Sequence, residues 1–136
     1  MTDTTWTTPT LGLDRIGQIA VTVRDLDRAE SFYRDTLGMR FLFRAAPGLS
    51  FFDCGGVRLL LSAPERAEDD HPSSVIYFVV DDLPAAYRTF SERGVKFTDE
   101  PHLIATMPDH ELWMAFFTDS ETNTLALMSE VPRRAV

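Results

Sequence analysis

Few side chains in this sequence have the chemistry to act on a substrate, and their spacing narrows what they can do. Cys54 is the only cysteine, which excludes an internal disulfide and a Cys-based structural zinc site. A reduced strand thiol is the plain reading, with a reactive nucleophile as the alternative. His102, Asp109, His110 and Glu111 crowd around a turn at Met107 to His110. They offer either a metal site or a turn of solvated polar groups. Register decides where His102 points: a three-residue turn puts it on the face of Phe116, and a two-residue turn reverses it. Tyr77 and His102 are candidate acid/base groups, and Arg58 and Gln18 are candidate holders of an oxyanion. No spacing forms a nucleophile, base and orienter set, so no catalytic residue is named.

Such side chains need a scaffold to aim them, and the chain carries one twice. The run from Val23 to Phe41 is echoed by the run from Val80 to Phe97, the second copy having one residue fewer before its glycine. Asp25 matches Asp82, Leu26 matches Leu83, Ala29 matches Ala86, Tyr33 matches Phe90 and Gly38 matches Gly94. In each copy a β-rich run, Ile16 to Val23 or Val75 to Val80, meets an Asp whose carboxylate can accept the free N–H groups of a first helical turn. Leu26, Ala29, Phe32, Tyr33 and Leu37 then recur at helical spacing, as do Leu83, Ala86, Tyr87 and Phe90. Each glycine supplies a left-handed stop.

Strand patterns follow both glycines: Met39 to Arg44, Leu49 to Cys54 and Val57 to Ser62, then Val95 to Thr98, His102 to Met107, Leu112 to Thr118 and Thr124 to Ser129. Strand, helix and three strands, twice over, predict an α+β fold of two βαβββ modules. The helices cover the outer sheet faces and the inner faces curve toward each other across a cleft. Residues 64–74 are polar, acidic and proline-bearing, as a linker is. The expected organisation is an arm at 1–13 containing Trp6, one domain at 14–131 (modules 14–63 and 75–131) and a tail at 132–136.

Composition limits the partners. Acidic residues outnumber basic ones 21 to 13 in a 136-residue chain of net charge -8, against the clustered Lys and Arg that nucleic-acid binding needs. A cationic small molecule would be favoured weakly. No stretch approaches the roughly 20 apolar residues of a membrane span, and the first ten residues lack the pattern of a secretory signal. The expectation is a cytoplasmic protein with no membrane or nucleic-acid partner.

Two segments, IGQIAVTVRDLDRAESFYRDTLGMRF at 16–41 and FTDSETNTLALMS at 117–129, make the chain resemble the vicinal oxygen chelate superfamily, that of glyoxalases, bleomycin-resistance proteins and dioxygenases. The second is a looser version of that family's Asp-Pro-Asp-Gly turn. The resemblance spans residues 14 to 131 and implies paired βαβββ modules in an open half-barrel, dimers, and a divalent metal held by inward residues of four strands. Aligned on the flanking motifs, those four positions are Gln18, Leu60, Val75 and Ala126. Only Gln18 carries a donor, so the resemblance comes without the family's metal set, and no metal or other cofactor is expected.

With those four positions inward, alternation puts Thr22, Arg58, Ser62, Tyr77, Met114, Phe116 and Met128 on the same faces. Ile19, Val21, Val23, Leu59, Leu61, Ile76, Phe78, Val80, Leu125 and Leu127 then pack outward against the helices, with Trp113 among the helix-facing core. The ligand-binding set expected is Gln18, Arg58, Tyr77, His102, Met114 and Phe116, which suits a small organic ligand; the same residues can instead fill a core or a dimer seam. A homodimer is expected because an open half-barrel leaves strand edges and apolar faces bare. The readings are a binding protein for a drug or metabolite, like the bleomycin-resistance branch, or a lyase, isomerase or dioxygenase with a non-standard or displaced metal site.

Overall fold

A computed structural model of the chain describes residues 12–45, 47–64 and 72–133. The arm with Trp6, most of the linker and the end of the tail lie outside the described residues. In order the elements are β1 (Gln18–Thr22), α1 (Leu26–Ser31) continued by a π-helical turn (Phe32–Thr36), β2 (Arg40–Ala45), β3 (Leu49–Cys54) and β4 (Val57–Ser62). The second half follows with β5 (Ile76–Val79), α2 (Leu83–Glu92), β6 (Lys96–Phe97), β7 (His102–Thr106), β8 (His110–Thr118) and β9 (Thr124–Pro132). The first sheet has the order β1-β4-β3-β2, and the second β5-β9-β8-β6 with β7 also on β8. Each half is a βαβββ module; in the second, the short β6 and β7 both pair with β8, as β2 pairs with β3 in the first, so that β6 answers to the start of β2.

The repeat seen in sequence is repeated in geometry. Asp25 and Asp82 cap their helices identically, each accepting from a backbone N–H three residues on, Arg28 and Ala85, at 3.0 Å. Gly38 and Gly94 end them at φ 73° and 94°, a region that costs any residue with a Cβ. The extra residue of the first copy is absorbed as the π-turn, in which Leu37 N–H reaches back five residues to the Phe32 carbonyl at 2.9 Å.

All ten residues assigned outward pack in the core with the helices. Phe52, Tyr33 and Phe117 are its largest members with no more than 1% exposure. Phe52 contacts both Phe41 and Tyr33, with ring centres 5.5 and 6.1 Å apart. Truncating such a ring to Ala leaves a cavity costing about 3–5 kcal/mol.

The β8–β9 turn ties the modules together, beside Arg93 at the end of α2, whose guanidinium donates to the Thr36 carbonyl at 3.1 Å. The Tyr33 hydroxyl, from the π-turn, donates to Asp119 Oδ2 at 2.8 Å in a buried contact. Asp119 Oδ1 also accepts the backbone N–H groups of Glu121 and Asn123, both at 2.8 Å. Asn123 Nδ2 donates to the Thr22 carbonyl at 2.9 Å. Glu121 Oε1 accepts the N–H groups of Arg24 and Asp25 at 2.8 and 3.0 Å, and Arg28 Nε donates to Oε2 at 2.8 Å. Burial pushes the Glu121 carboxyl up, but those two N–H groups and the guanidinium outweigh it and hold it below its ordinary value. The turn therefore closes on the first module's β1–α1 connection with most of its polar groups satisfied.

Candidate functional site

Each sheet has one face covered by its helix and one left open. On the first sheet β1 runs parallel to β4 with Gln18 beside Arg58, Ala20 beside Leu60 and Thr22 beside Ser62. β3 adds Phe51 beside Leu60 and Asp53 beside Arg58. Gln18 and Arg58 are thus brought together as expected, on the open face. Arg58 is exposed, with its guanidinium 5.8 Å from the centre of the Phe51 ring, a stacked rather than a buried setting.

On the second sheet Tyr77 and Phe116 both flank Ala126, and Met114 lies beside Met128. The Tyr77 and Phe116 rings meet edge to face at 6.0 Å. His102 is opposite Met114 and so joins this group. Its route there was hidden from the sequence: the turn after β7 is the two-residue kind, with Thr106 opposite Glu111 and Met107 N–H bonded to the His110 carbonyl. That register alone would turn His102 to the other face. A bulge at Ile104, between the Leu103 and Ala105 pairings, turns it back.

The expected six residues therefore form two groups, Gln18 with Arg58 and Tyr77 with His102, Met114 and Phe116, one on each open face. Tyr77 is 45% exposed and Val79, two residues along the same face, 72%. His102 Nδ1 lies 2.9 Å from the Glu100 carbonyl, a contact that requires Nδ1 to carry the proton and leaves Nε2 as the acceptor when the ring is neutral. The Asp99 carboxylate lies 3.6 Å from the same Nδ1.

The four positions at which the resemblance places metal ligands can be tested on donor chemistry. Leu60, Val75 and Ala126 have hydrocarbon side chains, and Ala126 is fully buried; with Gln18 alone as a donor these residues do not fit a divalent metal. The displaced alternative fails on geometry. Glu111 points to the helix side, where it accepts the Trp113 Nε1–H at 3.1 Å, while His102 is on the open side. His110 is four residues along β8 from Met114, about 13 Å in an extended strand, and its Nδ1 is paired with Asp109 at 2.7 Å. Among the described residues no three His, Cys, Asp or Glu side chains are grouped to hold a metal ion. The Cys54 thiol is pushed up by burial and then by the Asp53 carboxylate, so it is a poor thiolate nucleophile.

Two features went unread in the sequence. One is the Tyr33, Asp119 and Glu121 clasp, whose only trace was Tyr33 standing where the repeat has Phe90. The other is a cavity of about 720 Å³ on the helix side of the second sheet, lined by Tyr87, Trp113 and several acids. Trp113 is on the helix-facing side as expected, yet only partly buried. Among the described residues no helix is long and apolar enough to cross a membrane.

Comparison with known proteins agrees with this architecture. A glyoxylase-like domain-containing protein of Didymella fabae is 29% identical, the match covering 83% of this chain and 91% of that one. A member of the glyoxalase/bleomycin resistance protein/dioxygenase superfamily from Sphaerobacter thermophilus has a crystal structure that superposes with a TM-score of 0.70 at 26% identity, over 87% of this chain and 98% of that one. The lactoylglutathione lyase of Agrobacterium tumefaciens superposes with the same TM-score of 0.70 at 22% identity, over 87% and 95%, a likeness of fold. The two solved structures share this fold. The family model for the Glyoxalase/Bleomycin resistance protein/Dioxygenase superfamily matches residues 15–127, and with both modules, both caps and the closing turn in place, the chain belongs to that superfamily, the vicinal oxygen chelate proteins.

Proposed function

We propose that this protein binds a small organic molecule against the open faces of its sheets without metal chemistry, as a member of the superfamily that sequesters a drug or metabolite. The observation that carries the reading is the exchange at the four aligned positions. Where a metal set would need lone pairs stand Leu60, Val75 and Ala126, and around them the same faces present aromatic, thioether and guanidinium groups. Tyr77, Phe116 and Met114 form an apolar wall, while Gln18 and Arg58 supply a few polar groups to orient a ligand. The lyase activity of the Agrobacterium relative would need electrophilic help that these positions do not supply.

A homodimer completes this reading. Val79 and Tyr77 on the second sheet and Phe43, 48% exposed on the first, are bare apolar surface that a second copy would cover, enclosing the ligand between subunits. Light scattering should give about twice the 15.4 kDa chain mass; a monomer at micromolar concentration would count against the dimer.

The test of binding is native mass spectrometry of freshly purified protein, followed by a thermal-shift screen of drugs and metabolites. A small molecule held with fixed stoichiometry, and weakened at least about tenfold, or about 1.4 kcal/mol, by Phe116→Ala and Arg58→Ala, is the expected result. Metal-dependent formation of S-lactoylglutathione from methylglyoxal and glutathione by purified protein would overturn the reading in favour of an enzyme.

A further inference from the structure

The two long strands of the β8–β9 hairpin outrun α2, and the uncovered stretch forms the cavity of about 720 Å³ beside the helix's first turns. It lies on the opposite side of the second sheet from Tyr77 and Phe116, so it is not part of the open-face site. Its floor is set by strand pairing: Trp113 beside Ser129 and Glu111 beside Val131. Tyr87, from α2, forms a wall and is itself braced by Phe97, ring centres 4.6 Å apart.

Three properties of this cavity point to one ligand chemistry. Its walls include two partly buried aromatic rings, Tyr87 and Trp113, whose faces attract cations. The Trp113 N–H is taken by Glu111 Oε1 at 3.1 Å, which fixes the indole and leaves no N–H to offer an anion. Four carboxylates line it, Asp81, Asp82, Glu100 and Glu111, against the single guanidinium of Arg88. Asp82 is spent on the helix cap and Glu111 on the indole, whereas among the described residues no cationic side chain pairs with Asp81 or Glu100. A bare metal ion is disfavoured, since no three His, Cys, Asp or Glu among the described residues are grouped for one and the aromatic walls offer a hydrated ion nothing.

We infer that this groove between α2 and the β8–β9 hairpin is a second binding site, for an organic cation with an apolar body, such as an aralkyl or quaternary ammonium compound. The cationic head sits between the Tyr87 and Trp113 rings and the Asp81 and Glu100 carboxylates, and the apolar body lies along Val131.

Benzyltrimethylammonium is a suitable probe, with benzyl alcohol and benzoate as neutral and anionic counterparts of similar shape. Replacing Trp6 by Phe leaves Trp113 as the only one of the two tryptophans, so its fluorescence reports on the groove while calorimetry gives the affinity. The expected result is saturable quenching by the ammonium compound at about 1 mM or below, at least about tenfold tighter than either counterpart. The exposed, shape-conserving double variant Asp81→Asn with Glu100→Gln should lose at least about tenfold in affinity with unchanged melting. Equal binding of benzyl alcohol or benzoate, an unaffected double variant, or no saturation by about 10 mM would each overturn the inference. So would loss of the signal on Phe116→Ala, which would move the binding to the open face. Quenching that disappears as the chain self-associates would assign the groove to a second copy instead.

Discussion

Tyr33 and Asp119 are 86 residues apart in the chain and 2.8 Å apart in the fold, both buried. The pair joins a π-turn of the first module to the last turn of the second. A buried carboxylate and a phenol desolvated together satisfy each other and punish the loss of either. Desolvation first, and the Asp119 charge second, push the Tyr33 hydroxyl well above its ordinary value of 10.0.

Tyr33→Phe is expected to cost about 1.5–3 kcal/mol in chemical denaturation, the range for a hydrogen bond to a charged group. A second readout is pH. The folded protein holds the Tyr33 proton where the unfolded chain releases it, so this contribution is intact below pH 10 and is lost as pH rises beyond it. Wild-type stability should fall by up to about 1.4 kcal/mol per pH unit more steeply than that of Tyr33→Phe in this alkaline range. Parallel curves would mean the pair is not what links the modules.

Glu121 gives the opposite sign. Its side chain is 3% exposed and its carboxyl is held below the ordinary 4.5. Stability from its charged form is present above about 4.5 and lost as pH falls through the folded value. Glu121→Gln keeps the shape but not the charge, so its unfolding free energy should be lower at pH 7, by about 1–3 kcal/mol, and flatter between pH 5 and acid, to be measured by urea titration at stepped pH.

Thr122 has φ of 66°, the only described residue other than glycine at positive φ. It occupies the place of the glycine in the family's Asp-Pro-Asp-Gly turn, and a β-branched side chain there is strained by about 1–3 kcal/mol. Thr122→Gly should raise the melting temperature by a few degrees, the gain being reduced by the greater freedom of glycine in the unfolded chain. A lower melting temperature would show that the Thr122 hydroxyl, bonded to the Glu121 carbonyl, matters more than the strain.

Protein purified from rich medium and dialysed without chelator should hold far less than one Zn, Ni, Mn or Fe per chain, because three of the four aligned positions offer no lone pair. Elemental analysis is the measurement. One equivalent of metal, released by Gln18→Ala, would show that Gln18 anchors a site with donors outside the four.

Much of this fold was legible because it was written twice: a capping Asp, a helical stripe and a glycine in each copy leave little freedom. Face assignment followed once the resemblance set Gln18, Leu60, Val75 and Ala126 inward, since alternation then sends Val21, Leu59, Leu61, Leu125 and Leu127 to the helices. What escaped were the places where one residue breaks the count. The additional residue before Gly38 became a π-turn, and Ile104 became a bulge that restores His102 to the face its turn would have denied it. Such irregularities depend on which hydrogen bonds survive locally, and alternation carries no mark of them. The clasp escaped for another reason. Tyr33, Asp119 and Glu121 are ordinary helix and turn residues until tertiary contact joins them.

Turns between paired strands are ordinarily where a chain accepts foreign sequence, and the two modules differ sharply in this respect. The β3–β4 turn passes through Gly55 and Gly56, where an added Cβ would meet nothing within 4 Å. Its counterpart between β8 and β9 holds Asp119, Glu121 and Asn123 against the other module. A reporter peptide or affinity tag therefore belongs at Gly55–Gly56. Spliced in at Ser120, the same tag would pry the halves apart.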